Sequence, residues 1–175
     1  MTGLGAGFRG AHEPVASGAV AISGAEIPAF VVMGGFHGAK LALIRGERVL
    51  TYLRDDHAGL PFPAHWDLPG GGREGQESPE TCVLRELEEE FGLRLSAERL
   101  IWKRQFSGAD RPAHSVWFFG GVLETADIAA IRFGDEGQCW QMMPIAQFLS
   151  QDRAVPDLQR RLALWLDERA GAGPV

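Results

Sequence analysis

Apolar and polar positions recur along this chain in two rhythms, one of period two and one of period near 3.6. Residues 40–44 and 48–54 are apolar-rich runs on either side of Arg45-Gly46-Glu47, a pattern that predicts strand, tight turn, strand. Residues 29–33 (AFVVM) predict a further short strand. Residues 55–65 contain Gly59, Pro61 and Pro63 and predict a loop. Trp66-Asp67-Leu68 reads as a short strand entering Pro69-Gly70-Gly71-Gly72. Residues 101–106, 115–123 and 138–143 predict three more strands, the last after the turn-rich Gly134-Asp135-Glu136-Gly137.

The longer rhythm appears twice. Ser78 is a good N-cap, Pro79 suits the first helical position, Glu80 lies near the positive end, and Gly92 suits a left-handed C-terminus. Between them Val83, Leu84, Leu87 and Phe91 form the expected buried stripe. A last helix is predicted over 156–169, where Leu158, Leu162, Trp165 and Leu166 recur at i, i+4, i+7 and i+8. The order of elements predicts an α+β fold with a mixed sheet between helices.

Composition narrows the class. A length of 175 residues favours one domain, and 45% hydrophobic with 23% charged residues is ordinary for a globular one. The formal charge of −6 argues against broad binding to duplex nucleic acid, which depends on basic patches. It does not oppose a single nucleotide held through a metal, which supplies positive charge locally. Cys82 and Cys139 form no metal-ligand spacing and no disulfide framework, and are expected to be reduced, partly buried thiols. No run approaches the ~18 apolar residues of a membrane span. The first residues lack the pattern of a signal peptide, so a cytoplasmic location is expected. Residues 1–25, rich in Gly and Ala, are expected to form a flexible arm, leaving 26–170 as the domain.

The chemistry concentrates in residues 71–93, GGREGQESPETCVLRELEEEFGL. Glu86, Glu89 and Glu90 lie at i, i+3 and i+4, on a side of the helix roughly 130° from the apolar stripe. A solvated glutamate face is one reading. Against it, like charges at i, i+4 cost roughly 0.2–0.5 kcal/mol per pair. The negative end of the helix dipole disfavours them by a further 0.3–1 kcal/mol or about that. A bound divalent cation reverses both penalties, since hard cations take oxygen ligands. Arg85 either pairs on the surface with Glu88 or Glu89, or holds a carboxylate or a phosphate. Glu77, just before the N-cap, is placed to bond backbone N–H groups or to order the loop.

Gly71, Glu77, Arg85, Glu86, Leu87, Glu89, Glu90, Gly92 and Leu93 occupy the spacing G-x5-E-x7-R-E-U-x-E-E-x-G-U, with U aliphatic. This is the Nudix box, and the chain resembles a Nudix hydrolase over roughly residues 26–170. The resemblance implies an α/β/α sandwich around a mixed sheet. It implies hydrolysis of a nucleoside diphosphate linked to another moiety, with Mg²⁺ or Mn²⁺ as cofactor. Glu86, Glu89 and Glu90 would be metal ligands, joined by the backbone carbonyl of Gly70. Arg85 would orient Glu86, and Glu77 would support loop and helix. The metal would neutralise phosphate charge and acidify the attacking water, whose proton a carboxylate would take.

Outside the box, Gly134-Asp135-Glu136-Gly137-Gln138 resembles the G-x-E-G-Q loop of the MutT-like subgroup, where the glutamate, here Glu136, binds metal or acts as base. Arg54 matches a phosphate- or sugar-contacting arginine of that subgroup. Trp66 and Phe106, with Trp117, are the aromatic candidates for a base, against the alternative of core packing; Leu68 is grouped with them as substrate-side. The asparagine that reads oxidised guanine has no counterpart, because the matching stretch is Arg153-Ala154-Val155-Pro156-Asp157. The implied partner is a small-molecule nucleotide, taken by a monomer or homodimer, with no duplex nucleic acid and no membrane. A nucleoside triphosphate is the first expectation. A nucleotide sugar, ADP-ribose or a triphosphorylated RNA 5′ end is the alternative, and a non-catalytic nucleotide sensor belongs to another class.

Overall fold

The computed structural model describes residues 35–107 and 115–171. The expected arm, the strand at 29–33 and the first part of the expected domain lie outside the described residues. Strands β1 (Phe36–Arg45) and β2 (Arg48–Leu53) meet at a tight turn, followed by β3 (Trp66–Asp67). Helix α1 (Pro79–Phe91) leads to β4 (Leu100–Ser107) and β5 (Ser115–Val122). Helix α2 (Thr125–Ala130), strand β6 (Cys139–Pro144), helix α3 (Ile145–Ser150) and helix α4 (Pro156–Gly171) complete the order.

The strands form one mixed sheet in the order β3-β2-β1-β5-β4, with β6 on the other edge of β2. β1 and β5 run parallel, from Phe36 opposite Ser115 to Ile44 opposite Val122. The other strand pairs are antiparallel. Alternation along β1 sends Leu41 and Leu43 to one face, where they meet Cys82, Val83, Leu87 and Phe91 of α1. Ala42 and Ile44 go to the other face, against Phe148 of α3 and Leu158, Leu162 and Trp165 of α4. The result is the three-layer α/β/α arrangement that was expected.

Differences are local. Leu84 is half-buried and Cys82 takes a fully buried place in the stripe, because the α1 face turned to the sheet centres closer to Cys82. Cys139 is exposed rather than partly buried, since it opens β6 at the rim of the sheet. Helices α2 and α3 have no counterpart among the expected elements. Among the described residues no helix is long and apolar enough to cross a membrane.

α1 is punctuated as its sequence predicts. The Ser78 hydroxyl accepts the Thr81 N–H at 3.1 Å. Gly92 closes the helix with φ 63° and donates its N–H to the Glu88 carbonyl at 2.8 Å. Ser78→Ala is expected to lower stability by about 1 kcal/mol, the usual worth of such a cap. Urea unfolding checks this, and an unchanged midpoint would show that tertiary packing alone sets the start of α1.

Candidate active site

The glycine loop lies against β1 like an extra strand. Leu41 N–H donates to the Pro69 carbonyl at 2.9 Å, and Ala39 N–H donates to that of Gly71 at 3.0 Å. Gly70 has φ +119°, and a Cβ there would stand 2.2 Å from the Ala39 carbonyl oxygen. A Cβ on Gly71 would stand 2.7 Å from the Glu86 carboxylate. Absence of side chains at these two positions is what lets the loop pass between β1 and α1. The loop is then tied to the helix, because the Gly70 N–H donates to Glu90 Oε2 at 2.9 Å.

Arg85 gathers the polar face of α1. Its Nε donates to Glu77 Oε1 at 2.7 Å, its Nη2 to the Gly72 carbonyl at 2.9 Å, and its Nη1 to Glu89 Oε2 at 2.7 Å. Glu86 Oε1 lies 3.1 Å from Nη2. Glu88 pairs with Arg94 instead. Glu77 also accepts the Glu74 N–H at 2.9 Å. The Arg85 bond and that backbone bond hold the Glu77 carboxyl below its usual range. Glu77 in turn raises the Arg85 guanidinium, so its charge is secure. A rigid planar fork with several donors suits this multiple bridging, which a lysine could not reproduce.

The three helix carboxylates differ in exposure. Glu90 is 3% exposed, while the Glu86 and Glu89 side chains are 15% and 58% exposed. Burial pushes the Glu90 carboxyl up to about 7, although Lys40 and the Gly70 N–H pull the other way. Burial also raises Glu86, opposed by Arg85. Two desolvated carboxylates beside one exposed carboxylate are a hard-oxygen donor set that a divalent cation would satisfy. Among the described residues no three His, Cys, Asp or Glu side chains stand together as a ready-made cation cage. Glu89 is bonded to Arg85.

A second polar cluster adjoins the first. Asp67, 2% exposed, accepts at Oδ2 from Arg54 Nη1 at 2.6 Å, Lys40 Nζ at 3.1 Å and the Tyr52 hydroxyl at 3.3 Å. Its Oδ1 accepts the Leu68 N–H at 2.7 Å. Both oxygens of this buried carboxylate face donors, and two of those donors are cationic, which offsets the burial of the charge. Lys40 and Arg54 are thereby held at one wall of a 340 Å³ cavity. Its other walls come from Phe62 of the 55–65 loop, Val116 of β5, and Asp157, Leu158 and Arg161 of α4. Burial pulls the Arg54 guanidinium down, yet Asp67 and Glu136 leave it above its ordinary value.

Of the expected substrate-side residues, Arg54 lines the cavity. Trp66 and Phe106 pack on the second core, and Leu68 is fully buried within it. Trp117 stacks on Phe119 with ring centroids 6.2 Å apart. Glu136 is exposed, in a loop tied to the end of β2 by Gly137 N–H to Asp55 Oδ2 at 3.2 Å and Gln138 Nε2 to the Arg54 carbonyl at 2.7 Å. Burial and Asp67 chiefly raise the Tyr52 hydroxyl, and Glu136 adds to the rise there and at Arg54. Lys40, Phe62, Asp67 and Arg161 escaped the sequence reading. Asp67 left one signal, an acidic residue inside an otherwise apolar strand; the other three left none.

The raised Glu90 gives a testable pH dependence. Its carboxyl titrates near 4.5 in the unfolded chain and about 7 in the folded one. Between those values the folded state binds more protons, so this group lowers stability as pH rises, and the loss is complete above about 7. In metal-free protein Glu90→Gln is expected to gain stability over the parent from pH 5 to pH 8, by on the order of 2 kcal/mol. Thermal melts across that range check it. A difference that stayed constant with pH would contradict the shift.

Comparison with known proteins agrees with this architecture. The NUDIX domain model matches residues 35–166. An 8-oxo-dGTP diphosphatase of Haemophilus influenzae is 32% identical over 96 residues, 55% of this chain and 67% of that protein. An RNA pyrophosphohydrolase of Rhodospirillum rubrum is 30% identical over 100 residues, 49% of this chain and 61% of that one. Among solved structures, the MutT protein of Methanosarcina mazei Go1 superposes with a TM-score of 0.60 at 15% identity, over 79% of this chain and 98% of that one. A bifunctional NMN adenylyltransferase/ADP ribose pyrophosphatase of Francisella tularensis, complexed with AMP and a manganese ion, superposes with a TM-score of 0.59 at 22% identity. That match covers 76% of this chain and 41% of the other. With the box intact and its loop bonded to its helix, the chain belongs to the Nudix family of pyrophosphate-bond hydrolases.

Proposed function

We propose that this chain hydrolyses a nucleoside triphosphate, standard or oxidised, to the monophosphate and pyrophosphate, with Mg²⁺ or Mn²⁺. The observation that carries the reading is the bond between the glycine loop and a helix bearing three carboxylates, two of them desolvated. The likeness to a diphosphatase of 8-oxo-dGTP supports the nucleotide.

Glu86, Glu89 and Glu90, with the Gly70 carbonyl and Glu136, would hold the cation, which supplies charge neutralisation at the phosphates and a more acidic water. The residues of this chain do the rest. Glu77 pins Arg85, and Arg85 holds Glu86 beside Gly71. A carboxylate of the set takes the proton of the attacking water as the phosphoanhydride bond breaks and pyrophosphate leaves. Lys40, fixed by Asp67, meets the charge of the substrate. A second reading, removal of pyrophosphate from a triphosphorylated RNA 5′ end, is supported by the Rhodospirillum relative.

Glu86→Gln, Glu89→Gln and Glu90→Gln are each expected to lower turnover at least tenfold while the circular dichroism spectrum is kept. Pyrophosphate release from a panel of standard, oxidised and sugar-linked nucleotides and a triphosphorylated RNA, with product identification, is the measurement. Unchanged turnover in Glu89→Gln would refute its role. Release of pyrophosphate from none of the panel would refute the activity, and preference for a diphosphate ester would move the substrate to a nucleotide sugar or ADP-ribose.

A further inference from the structure

The loop between β2 and β3 carries a conformation that its sequence disfavours. Phe62 has φ 53° and Ala64 has φ 52°, the only non-glycine residues with positive φ among those described. A bulky residue in the left-handed region is an outlier, more so directly before a proline, where the backbone prefers an extended form. The loop is closed at its base. Arg54 N–H donates to the His65 carbonyl at 3.0 Å and Ala64 N–H to that of Asp55 at 3.1 Å.

That strain is not repaid by burial. Phe62 is 47% exposed, and among the described residues only Ile101 is a more open large hydrophobic side chain. Its ring meets His65 edge-on, with centroids 5.6 Å apart, and borders the 340 Å³ cavity. The same cavity is lined by two arginines. Arg54 Nε is buried and has no hydrogen-bond partner. Arg161 lies 4.9 Å over the Phe106 ring, and its Nη2 is 3.7 Å from Asp157 Oδ2, beyond hydrogen-bond length. Asp157 is already bonded to Arg160. An exposed aromatic ring held by strained backbone, in a cavity it shares with an unpartnered Arg54 Nε and with Arg161, suits a planar heterocycle with acceptor atoms on its edge.

We infer that Phe62 is a specificity-determining residue, the platform on which the substrate's nucleobase stacks, with the acceptor atoms of the base turned to Arg161 and Arg54. The inference rests on the nucleotide reading above and adds a residue and a direction of recognition to it. Strain at Phe62 is then the cost of presenting a ring where the cavity needs one.

The test measures binding of the four nucleoside monophosphates, and of ribose 5-phosphate as a base-free probe, by NMR titration of the whole chain without metal. The parent protein is expected to bind at least one monophosphate ten times or more tighter than ribose 5-phosphate. Phe62→Ala should bring that ratio near one without changing ribose 5-phosphate, and Phe62→Trp should restore it. Arg161→Leu should weaken the preferred monophosphate in the same way. Phe62→Gly, which relieves the backbone, should lose the ratio while its melting temperature holds or rises. A ratio that survives in Phe62→Ala would overturn the inference and leave the nucleotide reading standing. Loss of melting temperature in Phe62→Gly with the ratio intact would make Phe62 a packing residue only. A parent protein that binds every monophosphate no better than ribose 5-phosphate would overturn the stacking role, while pyrophosphate release from the nucleotide panel reports separately on the reaction.

Discussion

The hydrogen bond from the Gly70 amide to the buried carboxylate of Glu90 is the constraint on which the site depends. It ties the glycine loop, itself bonded to β1 through the Pro69 and Gly71 carbonyls, to the C-terminal half of α1. Burying a carboxylate there is unfavourable, and one backbone donor with a nearby lysine offsets that only in part, which is why the group is driven toward neutrality. The fold tolerates this because α1 is anchored independently by Cys82, Val83, Leu87 and Phe91 against the sheet. Apolar packing thus holds a polar arrangement that would not hold itself.

Arg85 and Asp67 play matching parts on either side of that bond. Arg85 is a cation that organises carboxylates, with Glu77, Glu86 and Glu89 converging on one guanidinium. Asp67 is a carboxylate that organises cations, with Lys40 and Arg54 converging on one oxygen. The first hub presents negative charge and the second presents positive charge, side by side. Solved structures that share this architecture are 15% and 22% identical to the chain, so the fold persists while most side chains differ.

Much of this was legible in the sequence where signals are local. The cap at Ser78, the stop at Gly92 and the grouping of Glu86, Glu89 and Glu90 all follow from spacing along one helix. Helices α2 and α3 were not legible because six residues hold too little of a 3.6 period to register. Their ends are also stabilised from afar. Arg99 reaches Asp127 at 2.7 Å in α2, and Gln159 bonds the Phe148 and Gln151 carbonyls at the end of α3. Whether Trp66, Leu68 and Phe106 border a pocket or pack in the core was not legible, because nothing in a linear pattern says which face of a strand meets α4; Leu68 is fully buried, and Trp66 and Phe106 are half-buried.

By itself the sequence determined the glycine loop and the carboxylate helix, since a loop and the helix after it are contiguous and their pattern lies in their spacing. Only the tertiary structure decided what lies beyond that loop and helix. Lys40 on β1, Arg54 at the end of β2, Asp67 on β3, Phe62 in a loop and Arg161 on α4 are separated by up to the length of the domain. They share a cavity because sheet register and the packing of α4 bring them together. Which residues border it depends on side-chain direction and long-range contact, and neither is written in any local pattern.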